Sequence, residues 1–308
     1  MELPEIRPGW TPLYCLSGAT ASGKSDLAHR AAERLGGRLL SVDSMMVYRG
    51  MDIGTAKPSE EERRRYDYAG LDLVKPGEPF STGAWLRAVL RQLDDRPTFA
   101  VGGTGLYFRA LLEGLTPEED LPSVDPDLPV PALQAEIRAR DPGALDRLAD
   151  PENPRRLARA LQWLRAGKPL PDHWLAQHNR PEIPVLAWPV DALNARIRLR
   201  AEAMFTGGLL TEAETLRSEY EQLPGTAAQA IGYREAFAVL DGALTPEAAV
   251  EAVSVRTRRY AKRQRTWFRN QMNSLWVDGS REDVLDELQK VWQELGPFWL
   301  KREPFLRA

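Results

Sequence analysis

The octapeptide Gly18-Ala19-Thr20-Ala21-Ser22-Gly23-Lys24-Ser25 constrains this chain more than any other stretch. It fits G-x-x-x-x-G-K-[ST]. The apolar run at 12–17 (PLYCLS) reads as a strand before it, and a helical pattern begins near Lys24. The glycines let successive N–H groups turn inward around phosphate oxygens. The helix that follows aims the partial positive charge of its N-terminus at the same anion. Lys24 adds a full charge, and the Ser25 hydroxyl is suited to hold Mg²⁺. Gly18, Ala19, Thr20, Ala21, Ser22, Gly23, Lys24 and Ser25 are therefore the candidate phosphate ligands. Such a loop identifies a phosphate, not a reaction. It serves an ATPase, a kinase or a transferase handling pyrophosphate equally well.

The rest of the N-terminal half repeats the strand-then-helix alternation. The first helix carries Leu27, Ala28, Ala31, Ala32 and Leu35 at spacings of three and four, and Gly36-Gly37 stops it. Further strands are expected at Leu39–Val42 and Thr98–Val101, with a helix at Thr82–Leu93 between them. This pattern predicts an α/β fold, a P-loop NTPase-like parallel sheet flanked by helices. After about Glu118 the character changes. Residues 117–131 (PEEDLPSVDPDLPVP) are rich in Pro and Asp and exclude a long regular element. Helical patterns follow at roughly 132–140, 142–149 and 154–166, then a second proline-rich stretch at 169–184. Pro184–Asp191 reads as a strand returning to the sheet, and from Ala192 the pattern is helical. A strand at Leu275–Val277 and a helix at Arg281–Leu295 close the chain. The expected organisation is a core of 1–117 and 183–308 with a mostly helical insertion domain at 118–182.

A chain of 308 residues with 43% apolar and 28% charged residues is long enough for such a core plus an insertion. Its one cysteine, Cys15, can form no intramolecular disulfide. Met1–Trp10 carries Glu2, Glu5 and Arg7 without an apolar run, so no signal peptide is expected. No stretch reaches the length needed to cross a bilayer. The expectation is a cytoplasmic monomer with no membrane partner.

The net charge of −3 argues against nucleic acid only if the charge is evenly spread, and it is not. Arg256–Arg269 (RTRRYAKRQRTWFR) holds seven cations and no acid. On a helix Arg258, Lys262, Arg265 and Arg269 form one stripe. Solvated faces usually mix signs, so contact with an RNA backbone is the better reading. Trp267 and Phe268 either stack on bases or belong to the core. Two strand ends add further candidates. Asp43 is a general base, a partner of Mg²⁺, or the acceptor of an Asx-turn. Thr104, within Gly102-Gly103-Thr104-Gly105, offers a hydroxyl beside several N–H donors, or closes a plain tight turn.

Five segments resemble the tRNA dimethylallyltransferases, in family order from residue 18 to residue 269. They are the phosphate loop, the sixteen residues Asp43–Pro58 (DSMMVYRGMDIGTAKP), Gly102–Tyr107 (GGTGLY), Gln229–Glu235 (QAIGYRE) and Tyr260–Arg269 (YAKRQRTWFR). The resemblance implies transfer of a dimethylallyl group from dimethylallyl pyrophosphate to N6 of the adenine just 3′ of the anticodon. It implies Mg²⁺ as cofactor and a target base flipped out of its stack. Asp43 would accept the N6 proton, Thr104 would help hold the reactants, and Arg234 would clamp the pyrophosphate. On position alone Arg234 is an ordinary surface arginine. The tRNA anticodon stem-loop would meet Asp43, Ser44, Met45, Met46, Thr104, Gln229, Gly232, Tyr233, Lys262, Arg263, Gln264, Arg265, Trp267, Phe268 and Arg269. In the insertion it would meet Arg155, Arg156 and Arg159. His29, His173 and His178 have no metal-ligand spacing with Cys15, so zinc is not indicated.

Some residues depart from the family pattern. Many relatives carry Gln where Met46 stands, and Tyr68-Ala69-Gly70-Leu71-Asp72 replaces a usual His-containing stretch. Ala149–Asn153 differs from the usual approach to Arg155. Two other readings fit part of the pattern. An isopentenyltransferase acting on free adenine nucleotides shares fold and donor but needs no basic stripe. A small-molecule kinase explains the phosphate loop and leaves the second and fifth motifs unused.

Overall fold

The computed structural model describes residues 4–115, 121–125, 128–148, 150–171, 181–220 and 223–302. Much of both proline-rich stretches, Ala149, and the histidines at 173 and 178 lie outside the described residues. Two compact units divide the chain, one of Met1–Leu112 with Pro181–Ala308 and one of Glu113–Arg180.

The first unit is built on a seven-stranded sheet. In chain order its strands are β1 (Trp10–Gly18), β2 (Arg38–Val42), β3 (Tyr68–Ala69), β4 (Thr98–Gly102), β5 (Glu182–Ala187), β6 (Asn273–Asp278) and β7 (Phe298–Lys301). The order across the sheet is β3-β2-β4-β1-β5-β6, all parallel, and β7 runs antiparallel to β1. β1 meets β5 only at Ser17 and Gly18, so its N-terminal half is left for β7 at Trp10–Leu13. Neither β7 nor β3 was legible in the sequence. β3 is two residues long, and β7 is a four-residue run directly behind a helix. β5 begins at Glu182 and ends at Ala187, earlier than expected, because Trp188-Pro189 leads straight into a helix starting at Val190.

Helices cover the sheet. α1 (Lys24–Leu35) starts at Gly23, φ 83°, and stops at Gly36, φ 68°, a region that disfavours side chains. It is followed by α2 (Glu60–Arg65), α3 (Thr82–Gln92) and α4 (Gly105–Glu113). After β5 come α8 (Val190–Thr206), α9 (Leu209–Glu219), α10 (Tyr233–Leu240), α11 (Pro246–Gln271) and α12 (Val284–Leu295); α5–α7 belong to the second unit. Thr245 caps α11 by accepting from Ala248 N at 3.2 Å, and Pro246 occupies its first turn, where no N–H is needed. Leu27, Ala28 and Ala31 of α1 and Leu285, Leu288 and Trp292 of α12 bury together against Tyr14, Leu16, Leu39 and Phe99 of the strands. Trp292 Nε1 donates to the Cys15 carbonyl at 2.9 Å, so the strand's C=O is satisfied where pairing is interrupted.

Among the described residues the second unit holds α5 (Val130–Arg140), α6 (Ala144–Arg147) and α7 (Pro154–Arg165). Leu133, Ile137, Leu145, Leu157 and Leu161 form its own core. Asn153 caps α7, accepting from the N–H groups of Arg155 and Arg156. Arg165 binds Glu136 through two nitrogens at 2.9 and 2.8 Å and joins α7 to α5. Among the described residues no helix is long and apolar enough to cross a membrane.

Candidate active site

β2, β4 and β1 are neighbours, and their register sets Val42 and Ser17 on either side of Gly102. The loops leaving these three strands therefore start side by side, at the carboxyl edge where open parallel sheets bind ligands. The approach needs glycine. A Cβ on Gly102 would lie 2.0 Å from the Val42 carbonyl oxygen. Thr104 N donates to Val42 O at 3.2 Å, and Thr104 Oγ1 accepts from Ser44 N at 3.0 Å. Thr104 thus fixes the start of the 43–58 segment.

The phosphate loop is held by its carbonyls. Lys24 Nζ donates to Ala19 O at 3.3 Å, Arg196 Nε to Ala21 O at 2.8 Å and Trp188 Nε1 to Ser22 O at 2.9 Å. Arg196 lies over the Trp188 ring, 4.4 Å from its centroid, so the two struts brace each other. Ala21 has φ 63° and Gly23 φ 83°. The first N–H groups of α1 have no intrahelical partners and are left for a ligand at the loop. Ser22 Oγ is buried there and has no partner among the described residues. A buried hydroxyl left without a partner beside the helix N-terminus fits a polar ligand.

Two cavities open at this edge. The smaller, about 110 Å³, is lined by Lys24, Ser25, His29, Asp43, Met46 and Tyr68 among others. The larger, about 600 Å³, is lined by Thr20, Asp43, Ser44, Met45, Gln229, Arg200, Tyr260 and Arg263 among others, which is room for a nucleobase and more. Asp43 is the one described residue that borders both. Its Oδ1 accepts from Met45 N at 2.9 Å. The Asx-turn and the catalytic reading of Asp43 are therefore compatible, since one oxygen serves the turn and the other is available to a ligand. Burial first, and the Arg200 charge next, push Lys24 down to about 8, against the pull of Asp43. Burial likewise lowers Arg200, opposed by Asp43 and Tyr260. Two cations beside one carboxylate leave a net positive charge here that suits an anionic ligand.

Several residues singled out from sequence sit where expected, and several do not. Ser44, Met45, Gln229 and Arg263 border the larger cavity with Asp43, whereas Met46 borders the smaller one, away from them. Arg234 is 77% exposed, 3.7 Å from Glu235, and borders neither cavity. Gly232, φ 113°, starts α10, and Tyr233 is buried, donating to Glu212 at 2.7 Å. Gln264, 5% exposed, accepts from Thr20 N at 2.9 Å and donates to Gly103 O at 3.0 Å. It is a strut between two loops and not a surface contact. Phe268, 1% exposed, meets Phe108 edge-on with centroids 6.0 Å apart, so it is core. Trp267 lies against Gly105, where a Cβ would be 2.0 Å from its ring.

α11 shows a further difference. Val253, Arg256, Tyr260 and Arg263 face the larger cavity. The stripe of Arg258, Lys262, Arg265 and Arg269 lies on the opposite side of the same helix at 100° per residue. Arg258 there pairs with Glu251 at 3.0 Å, and Arg269 lies over Trp276 at 6.0 Å. In the second unit Arg155 is exposed, and Arg159 donates to Gln162 at 3.1 Å.

Arg196, Arg200 and Trp188 were not picked out from sequence. Their one signal is that Arg196 and Arg200 stand four apart beside the buried Leu193, Ile197 and Ala201, on the part of α8 that meets the site. No group of three His, Cys, Asp or Glu suited to a metal occurs among the described residues. The hydroxyl of Ser25 and the carboxylate of Asp43 nevertheless line one cavity with Lys24. Such hard oxygen donors fit Mg²⁺, which takes few protein ligands and completes its shell with phosphate and water.

The family model for IPP transferase matches residues 46–271. A tRNA dimethylallyltransferase of Methylococcus capsulatus is 40% identical over 91% of this chain and 96% of its own length. One from Anaeromyxobacter dehalogenans is 40% identical over 86% of this chain and 94% of its own. Among solved structures, the tRNA isopentenylpyrophosphate transferase of Bacillus halodurans superposes with TM-score 0.65 at 31% identity, covering 96% of this chain and 99% of that one.

Proposed function

The chain belongs to the IPP transferase family of tRNA dimethylallyltransferases, and from that premise we propose that it moves a dimethylallyl group from dimethylallyl pyrophosphate to N6 of the adenine just 3′ of the anticodon. The observation that carries this reading is the position of Asp43, bordering both the phosphate-side cavity and the larger one. A carboxylate there touches donor and acceptor at once.

The donor's pyrophosphate rests on the loop of Gly18–Ser25, with Lys24 and Arg200 closing on it. The adenine, flipped from its stack, enters the larger cavity beside Ser44, Met45 and Gln229. N6 is a weak nucleophile because its lone pair is delocalised into the ring. The new N6–C1 bond forms as the C1–O bond to pyrophosphate breaks. Asp43 takes the N6 proton, and its oxygen held by Met45 N–H keeps the carboxylate aimed. Thr104 keeps Ser44 in place. Lys24, Arg200 and the α1 N-terminus stabilise charge on the departing pyrophosphate. The Ser25 hydroxyl and the Asp43 carboxylate would hold Mg²⁺, which would supply further neutralisation of that leaving group. Arg263 on α11 and Arg155, Arg156 and Arg159 on α7 supply cations for RNA phosphates. The protein works as a monomer in the cytoplasm.

Transfer of labelled dimethylallyl from its pyrophosphate, with Mg²⁺, to unmodified tRNA and to AMP in parallel tests the reading. Label in tRNA alone is expected. Label in AMP makes the protein a nucleotide prenyltransferase. ATP consumption without label transfer makes it a kinase.

A further inference from the structure

Glu212, in the first turn of α9, lines neither cavity and was not singled out from sequence. Its carboxylate accepts four hydrogen bonds. Oε2 takes the N–H groups of Asp52 and Ile53 at 2.8 and 2.7 Å, and Oε1 takes Gly54 N at 3.1 Å and the Tyr233 hydroxyl at 2.7 Å. Three successive N–H groups around one anion make the kind of nest that loops offer to a phosphate. Here the protein fills the nest with its own side chain. The Tyr233 ring covers Gly54 so closely that a Cβ there would lie 2.5 Å from it.

The groups tied together border the larger cavity from two directions. Gly54 and Thr55 line it from the 43–58 segment, and Gln229, Ala230 and Ile231, just before Tyr233, line it from the other side. The far side of the same segment is anchored separately. Lys57, its side chain fully buried, binds Asp52 at 2.8 Å and Asp72 at 2.6 Å, and Arg63 binds the same two carboxylates. Glu212 is the only described side chain whose carboxylate accepts both from this segment and from α10.

We infer that Glu212 is a positioning residue for the acceptor. By holding the 52–54 backbone and Tyr233 on one carboxylate it sets the separation of the two walls between which the adenine sits. It touches neither substrate and leaves the phosphate loop alone. This role rests on the proposed reaction for its substrate and on the hydrogen bonds above for its mechanism.

Glu212→Gln keeps the shape but turns an amide NH₂ toward N–H donors, so part of the nest is lost. The expected result is a fall in kcat/KM for tRNA of about 10–100-fold, the scale of a misplacement near 1 Å. KM for dimethylallyl pyrophosphate should hold, and amide exchange at Ile53 and Gly54 should quicken. Tyr233→Phe, which keeps the ring over Gly54, should give a smaller loss in the same direction. Equal losses toward both substrates in step with a lowered Tm would reduce Glu212 to a structural residue and overturn the inference. So would unaltered turnover on tRNA, or unaltered exchange. The wild-type arms on tRNA and AMP report on the reaction itself. If only AMP is labelled, the variants are scored on AMP. If neither is labelled the proposed reaction fails, and exchange at 52–54 decides whether the carboxylate holds the wall.

Discussion

Gln264 offers the sharpest test of how this site is held. Its side chain joins Thr20 N of the phosphate loop to Gly103 O of the loop after β4, residues 244 and 161 positions away. Gln264→Ala strands one backbone donor and one acceptor. Each costs about 1–3 kcal/mol when buried and unsatisfied. Thr20 borders the larger cavity, so water reaches its N–H and its share falls at the low end. A total of about 3 kcal/mol follows. For a unit of this size that lowers Tm by about 6–12 °C. The same loss frees the phosphate loop, so affinity for pyrophosphate with Mg²⁺ should fall in parallel. Gln264→Glu separates the two effects. Its carboxylate still accepts from Thr20 N–H but cannot donate to Gly103, and it sets a negative charge beside the anion site. Pyrophosphate affinity should then fall further than stability does. Thermal unfolding with and without pyrophosphate, beside tRNA binding, reads all three quantities. An unchanged Tm and pyrophosphate affinity with tRNA binding lost would show an RNA contact and refute the strut.

Other outcomes follow from the same geometry. Asp43→Asn keeps an oxygen for Met45 N–H, so the turn and tRNA binding should survive while turnover is lost; turnover near the wild-type rate would exclude Asp43 as the base. Arg200→Ala removes a cation that closes on pyrophosphate, and KM for the donor should rise about 10–100-fold, the scale of a charged hydrogen bond of about 1.5–3 kcal/mol; Arg234→Ala, whose side chain is exposed, should leave donor KM in place, and the reverse pattern would restore Arg234 as the clamp. His29 is buried and held below its ordinary value by burial, with Glu62 at 3.6 Å pulling the other way. A depressed pKa means the unfolded chain binds the proton more readily, so this stability is present above about pH 6.5 and is lost as pH falls below it. His29→Gln should flatten that acid limb in unfolding curves measured from pH 7 to pH 5, and an unchanged limb would show that other groups produce it.

Most of the parallel sheet was legible because its longer strands carried their own punctuation. β1, β2 and β4 each end in glycine or Asp-Ser, and a 3.6-residue pattern directly follows β1 and another precedes β4 at Thr82–Leu93. β7 was not, because four residues of antiparallel edge strand have no periodicity to show. The chemistry divided in a similar way. Lys24 and Asp43 are marked by local context, a glycine turn and a strand end. Arg200, Arg196 and Trp188 sit in ordinary helical or strand-end surroundings and gain meaning only when folding brings them to the loop at 18–25. α11 shows the limit of composition from the other direction. Composition pointed to a cationic stripe, but composition does not say which side of a helix is turned inward. Arg256, one of its seven cations, is spent on Glu235, at 2.7 and 2.9 Å.

The motifs themselves are explained more by one another than by substrate. Gln264 of the fifth ties the first to the third. Thr104 of the third holds Ser44 of the second, and Tyr233 of the fourth closes over Gly54 of the second. Trp267 of the fifth fills the space left by Gly105 of the third. Each contact crosses tens to hundreds of residues of sequence, and at Gly54 and Gly105 it leaves no room for a Cβ. A reaction that needs only a carboxylate and a few cations is thereby enclosed by many residues whose identity is fixed by packing between loops. A motif residue in this chain is therefore better read first as a partner of another motif, and as a substrate contact only when a cavity borders it. By that standard Asp43, Met45, Gln229 and Arg263, which border the larger cavity, are the candidates for substrate contact, and Gln264, Tyr233 and Phe268 are partners within the frame.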